Sequence, residues 1–112
     1  MKFDIIPDGD ALNVCTWCGK RVDEFSDVFA VGASARPTVD LHEYRGHCIR
    51  IDLRSQQKSL NAMVTAADSE AKAEKKDLMF MVCSPACRSA LQKALKKEVT
   101  TGRLLADVFA NS

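Results

Sequence analysis

The residues of this chain best suited to chemistry are its cysteines, five among 112 residues. Four of them form two close pairs, Cys15-Thr16-Trp17-Cys18 and Cys83-Ser84-Pro85-Ala86-Cys87. Thiolates are soft donors, and two of them a few residues apart can face one cation. Gly19 follows the first pair and accepts the tight turn that closes a knuckle. Backbone N–H groups in such a turn point at the sulfurs and stabilise their charge. In the second pair Ser84 suits a helix N-cap and Pro85 the first helical position, which places Cys87 at the third. The positive end of a helix favours thiolates there. The two pairs together predict one four-thiolate site, Cys15, Cys18, Cys83 and Cys87, holding one Zn²⁺ per chain. Iron is the alternative cation, and the CxxxC spacing of the second pair disfavours the two similar knuckles usual for iron. A closed four-sulfur site has no open position for an activated water, so its expected role is structural. Redox chemistry of the thioredoxin type ranks lower, because no helical pattern follows Cys18 directly.

Other residues are weighed against plainer roles. Cys48 lies in an alternating segment and reads first as a small core residue, second as a ligand or sensor. His42 and His47 flank Glu43-Tyr44-Arg45-Gly46, and they are candidates for a second metal or for an HNH-type nuclease site. The Asp-His pair and downstream Asn of such a nuclease are missing from VDLHEYRGH, so surface or turn histidines are the first reading. Trp17 is expected to shield the metal from within the knuckle. Lys20, Arg21, Arg88, Lys93, Lys96 and Lys97 could form a phosphate-binding face, diluted by Asp23, Glu24 and Glu98.

The elements that must position these groups follow from periodicity. Phe3 to Ile6 reads as a strand, Pro7 to Asp10 as a turn, and Ala11 to Val14 as a strand returning to Cys15. Val28 to Ala33 and Val39 to Tyr44 read as strands. From His47 to Leu53, Ile49, Ile51 and Leu53 alternate with Cys48, Arg50 and Asp52, a period-two pattern. Leu60, Met63, Val64, Ala67 and Ala71 fall at helical spacing, so a helix is expected over Ser59 to Lys75, with Ser55 or Ser59 at its start. Leu78 to Val82 is a short apolar run, read as a buried central strand. A helix then runs from Ser84, with Ala86, Ala90, Leu91, Ala94 and Leu95 inward and Arg88, Lys93, Lys96 and Lys97 in water. Leu104, Leu105, Val108 and Phe109 suggest a final helical turn.

Length suits one domain, 1–112, with extra strands and a helix inserted between the ligand pairs over about 28–77. Hydrophobic residues are 46% and aromatics 6%, a modest aliphatic core that a metal would reinforce. The formal charge is +1, and four ionised thiols with one Zn²⁺ lower it to −1. Neither value marks a strongly basic nucleic-acid binder or a membrane-surface protein, and near-zero charge permits self-association. MKFDIIPDGD lacks the apolar stretch of a signal peptide, and no apolar run approaches a membrane span of ~20 residues. A cytoplasmic location is expected. In a reducing compartment five cysteines argue for metal rather than disulfides, and an odd number cannot all pair within one chain.

CTWCGK together with VCSPACRSAL resembles the treble-clef zinc modules of the TRASH, MYM and YHS-like group, whose pattern is CxxCG … CSxxC. A ribosomal large-subunit zinc protein is similar in the same respect. The resemblance covers the ligand regions, about a third of the chain. It implies Cys15, Cys18, Cys83 and Cys87 as ligands and a strand–helix junction at Ser84. Here 64 residues separate Cys18 from Cys83, longer than in those compact modules. The expected fold is α+β, a treble clef with a small antiparallel sheet and two main helices. The expected function is a non-enzymatic interaction module with a protein partner or a homo-oligomeric state. The alternatives are nucleic-acid binding through Lys20, Arg21 and the basic helix 85–98, and a metal sensor or enzyme using His42, His47 or Cys48.

Overall fold

Ile49, Ile51 and Leu53 are buried while Arg50 and Asp52 are exposed, as a strand with one face on a core requires. The same alternation builds most of the sheet. The computed structural model describes residues 3–7, 9, 13–22, 27–53, 58–66, 76–101 and 104–111. Its strands are β1 (Asp4–Ile6), β2 (Phe29–Ala35), β3 (Cys48–Leu53), β4 (Lys58–Val64), β5 (Leu78–Val82) and β6 (Leu105–Asn111). A helix, α1 (Pro85–Thr101), stands between β5 and β6. The strands form one antiparallel sheet in the order β1-β3-β4-β5-β2-β6. The class is α+β.

The buried face gathers Val31 and Ala33 of β2, Leu60, Ala62 and Val64 of β4, and Leu78, Phe80 and Val82 of β5. Helix α1 packs against β6, β2 and β5, and it seals this face with Leu91, Ala94 and Leu95. Burying an aliphatic or aromatic side chain of this size contributes about 1.5–3 kcal/mol. No described helix is long and apolar enough to cross a membrane.

Several expectations change. Lys58–Val64 is a strand, not the start of a helix. Positions i and i+4 share a face in both geometries, so Leu60 and Val64 satisfied either. Met63 decides the matter, because it points away from them and joins Ile6 and Cys48 in a second small cluster. Residues 67–75 of the expected helix, and Ser55 as its cap, lie outside the described residues. One long helix, rather than two, is therefore described.

Residues 39–44 are not a strand. The Asp40 carboxylate accepts the His42 N–H at 2.9 Å and starts a 3₁₀ turn over His42–Tyr44. Strand β1 pairs with β3; residues 11 and 12 of the expected returning strand lie outside the described residues. Around that return, Asn13 donates to the Gly9 carbonyl at 3.1 Å, a helical spacing.

Leu105 to Phe109 belong to β6 rather than to a helical turn. A bulge opposite Ser34 and Ala35 skips one residue, which puts Leu105 and Val108 on the same face despite their odd separation. Ala86 is exposed rather than inward, and Arg88 is half-buried, its guanidinium 5.2 Å from the Phe29 ring centroid.

Candidate metal centre

The first cysteine pair sits on a tight reversal. Val14 and Arg21 form an antiparallel bridge. The Cys15 N–H donates to the Lys20 carbonyl at 2.8 Å, and the Gly19 N–H donates to the Cys15 carbonyl at 2.9 Å. Gly19 has φ +80°, the left-handed region expected from the residue type. The Cys18 N–H lies 3.5 Å from the Cys15 sulfur, the orientation that stabilises a thiolate.

Thr16 fixes this knuckle to the sheet. Strands β4 and β5 pair at Met63↔Met79 and Val64↔Leu78. Two residues further along, that register would bring Asn61 opposite Met81. Thr16 occupies the gap instead. Its N–H donates to the Met81 carbonyl at 2.9 Å. Its hydroxyl donates to the Asn61 carbonyl at 3.0 Å and accepts the Asn61 N–H at 2.9 Å. One residue thus satisfies the facing edges of two strands, as buried backbone groups require. Lys58 adds a second tie: its ammonium donates to the Trp17 carbonyl at 2.8 Å and lies 4.2 Å from the Trp17 ring centroid.

The second pair arrives on β5, whose last residue, Val82, is fully buried and directs Cys83 rigidly. Ser84 caps α1, its hydroxyl accepting the Cys87 N–H at 3.1 Å. Cys87 therefore occupies the third helical position, as the sequence predicts.

The four sulfurs of Cys15, Cys18, Cys83 and Cys87 all lie within 4.8 Å of one another. Cys18 and Cys83 sulfurs are 3.6 Å apart, and those of Cys83 and Cys87 are 3.8 Å apart. A tetrahedral cation with metal–sulfur bonds of about 2.3 Å needs sulfur edges of about 3.8 Å. The arrangement fits such a cation and could hold zinc; geometry and donor type admit iron as well.

Electrostatics point the same way. Burial pushes the Cys15 thiol up, but N–H groups from Cys18, Cys83 and Trp17 outweigh it and bring the value down to about 7. Cys83 is pushed up to about 12, first by its hydrogen bond with Cys18 and then by burial. At Cys87 the Ser84 hydroxyl acts to lower the value, but burial and contacts with Cys15 and Cys18 raise it. Without a cation, Cys15 ionises most readily, while hydrogen bonding among the sulfurs and burial hold Cys83 and Cys87 protonated. A dication held by Cys15, Cys18, Cys83 and Cys87 would favour the thiolate form of each ligand and displace the remaining protons.

Cys15 is 1% exposed while Cys18 is exposed, so the centre has a sealed side and an open side. Trp17 is half-buried and packs against the main core. His42 and His47 are exposed at either end of the 3₁₀ turn. Cys48 is buried beside Ile6 and Met63, its expected core position. Among the described residues, neither the histidines nor Cys48 joins the four-cysteine group. Lys20, Arg21, Lys93, Lys96 and Lys97 are exposed, whereas Glu98, expected to dilute a basic patch, is 5% exposed. Thr16 and Lys58 carried no signal in the sequence, because their partners are 45 and 41 residues away. No protein-family model, curated protein or solved structure matches this chain.

Proposed function

We propose that this chain is a cytoplasmic, non-enzymatic interaction module built around a structural four-thiolate zinc centre of treble-clef type. Cys15, Cys18, Cys83 and Cys87 are its ligands. The observation that carries this reading is the convergence of four sulfurs, from a knuckle and a helix start, at the spacing a tetrahedral cation needs. Four thiolates complete the coordination, so the metal serves folding and not substrate activation. The proposed partner is a protein, including a second copy of the chain. Val28 supports this: it is a large apolar residue, 53% exposed, next to Phe29, whose partner Val82 leads into Cys83.

Elemental analysis and native mass spectrometry of purified chain should give one zinc per chain. Chelation should unfold or loosen the knuckle, and Cys18→Ser should lower zinc affinity steeply. Metal-free protein with an unchanged amide spectrum would overturn the metal reading. Val28→Asp should abolish self-association or partner capture. A monomeric chain that captures no protein from lysate would overturn the interaction reading, and association unchanged by Val28→Asp would overturn the role of Val28.

A second reading, nucleic-acid binding, rests on Lys20 and Arg21 being exposed on the knuckle, with Lys58 against the Trp17 ring nearby. Gel shifts at low salt decide it, and no retardation of RNA or DNA removes it.

A further inference from the structure

At the far end of β2 from the metal centre, about 20 Å along the strand, a pocket of about 160 Å³ opens beside Arg36 and Arg45. Its polar groups are these two guanidiniums and the Asp77 carboxylate, and Pro37, Val39 and Leu41 supply apolar wall. Among the described residues, the charges on this lining sum to one net positive. Each guanidinium is held firmly from one side. Arg36 donates from Nε to the Leu105 carbonyl at 3.0 Å and from Nη2 to the Val99 carbonyl at 2.7 Å. Arg45 donates from Nη2 to Asp77 at 3.2 Å and from Nη1 to Thr65, at 3.3 Å to its hydroxyl and 3.4 Å to its carbonyl. Asp77 is also committed, its other oxygen accepting the Ala35 N–H at 2.9 Å.

That leaves donors over. A guanidinium carries five N–H groups. Among the described residues, Arg36 Nη1 and Arg45 Nε donate to nothing. No buried side-chain nitrogen in the described structure lacks a partner, so these two atoms are open to solvent. Two preoriented guanidiniums with spare donors, one carboxylate committed to Arg45 and the Ala35 N–H, and a short apolar wall make a receptor for a planar anion. A cavity of about 150 Å³ admits a benzene-sized body.

We propose that this pocket binds a small monocarboxylate, its carboxylate on Arg36 Nη1 and Arg45 Nε and its short apolar body against Pro37, Val39 and Leu41. One negative charge neutralises the lining. The proposal is independent of the metal centre at the other end of the sheet.

The test is an amide-resolved NMR titration of the zinc-loaded full chain with benzoate, into the tens of millimolar range. Benzamide serves as the neutral control and inorganic phosphate as the bare oxyanion. Benzoate should shift the amides of Ala35, Val39 and Arg45 saturably, and benzamide should not. Arg45→Lys removes the planar fork, and Val39→Phe fills the wall while leaving both guanidiniums in place. Each should weaken benzoate binding roughly tenfold or more. If Arg45→Lys fails to fold, Val39→Phe alone decides. The proposal is overturned if benzoate and benzamide act alike, if shifts track exposed lysines or never saturate, or if phosphate binds these amides more tightly than benzoate.

Discussion

Replacing Thr16 by Val isolates the joint between the knuckle and the sheet. Val has nearly the same shape, so packing is kept and only the hydroxyl is lost. That hydroxyl makes two hydrogen bonds, at 3.0 and 2.9 Å, to the carbonyl and N–H of Asn61. Both Asn61 groups would then face a methyl group. An orphaned buried backbone group costs about 1–3 kcal/mol. The site is half-buried, so some water reaches it, and about 2–4 kcal/mol for the pair is the expected total. Because the same joint holds Cys15 and Cys18 against Cys83, part of this loss should appear as weaker zinc binding, tenfold for each 1.4 kcal/mol so transferred. The assay is urea unfolding at a fixed, buffered free-zinc concentration, since bound metal otherwise shifts the midpoint by mass action. A zinc competition titration accompanies it. Thr16→Ser keeps the hydroxyl and should recover most of the loss. If Thr16→Val falls within about 0.5 kcal/mol of the parent chain, the range of an ordinary surface substitution, the wedge is not structural and this reasoning fails.

Other expectations follow from single features. Phe80 is 1% exposed at the middle of β5, and Phe80→Ala should cost about 3–5 kcal/mol in the same unfolding assay. Gly19 has φ +80° with nothing within 4 Å of an added Cβ, so Gly19→Ala should cost only the left-handed backbone penalty, about 1–2 kcal/mol. Zinc uptake at pH 8 should release at least the protons of Cys83 and Cys87, both raised in the metal-free chain. Calorimetry in buffers of different ionisation enthalpy counts them. Cys15, lowered to about 7 from 9.0, contributes stability above its unfolded value that is lost as pH falls through about 7. Acidification below that value should therefore both weaken the metal-free fold and expel the metal, whereas a metal content unchanged at pH 5 would contradict this.

The clustering of Cys15, Cys18, Cys83 and Cys87 was legible in the sequence because the signals beside each pair are local. Gly19, Ser84 and Pro85 each dictate the backbone beside a cysteine, and none of them requires knowledge of distant residues. Strands β3 and β5 were legible for the same reason, through alternation and a short apolar run. The segment over β4 was not, because Leu60 and Val64 are consistent with two periods and only the pairing with β3 selects one. Strand β6 was hidden by its bulge, which disguises a two-residue period as something closer to a helical one. The Thr16 wedge has no local signature, since what recruits it is a missing pair of backbone bonds on strands far along the chain.

The sheet order also has a temporal consequence. Strand β2 is bordered by β5 and β6, both synthesised well after it, while β3 and β4 can zip together as soon as they emerge. On the ribosome, β2 must wait with both edges bare, and the knuckle must wait with two of its four sulfurs. Native pairing of β2 therefore depends on contacts distant in sequence, a topology that favours slow folding.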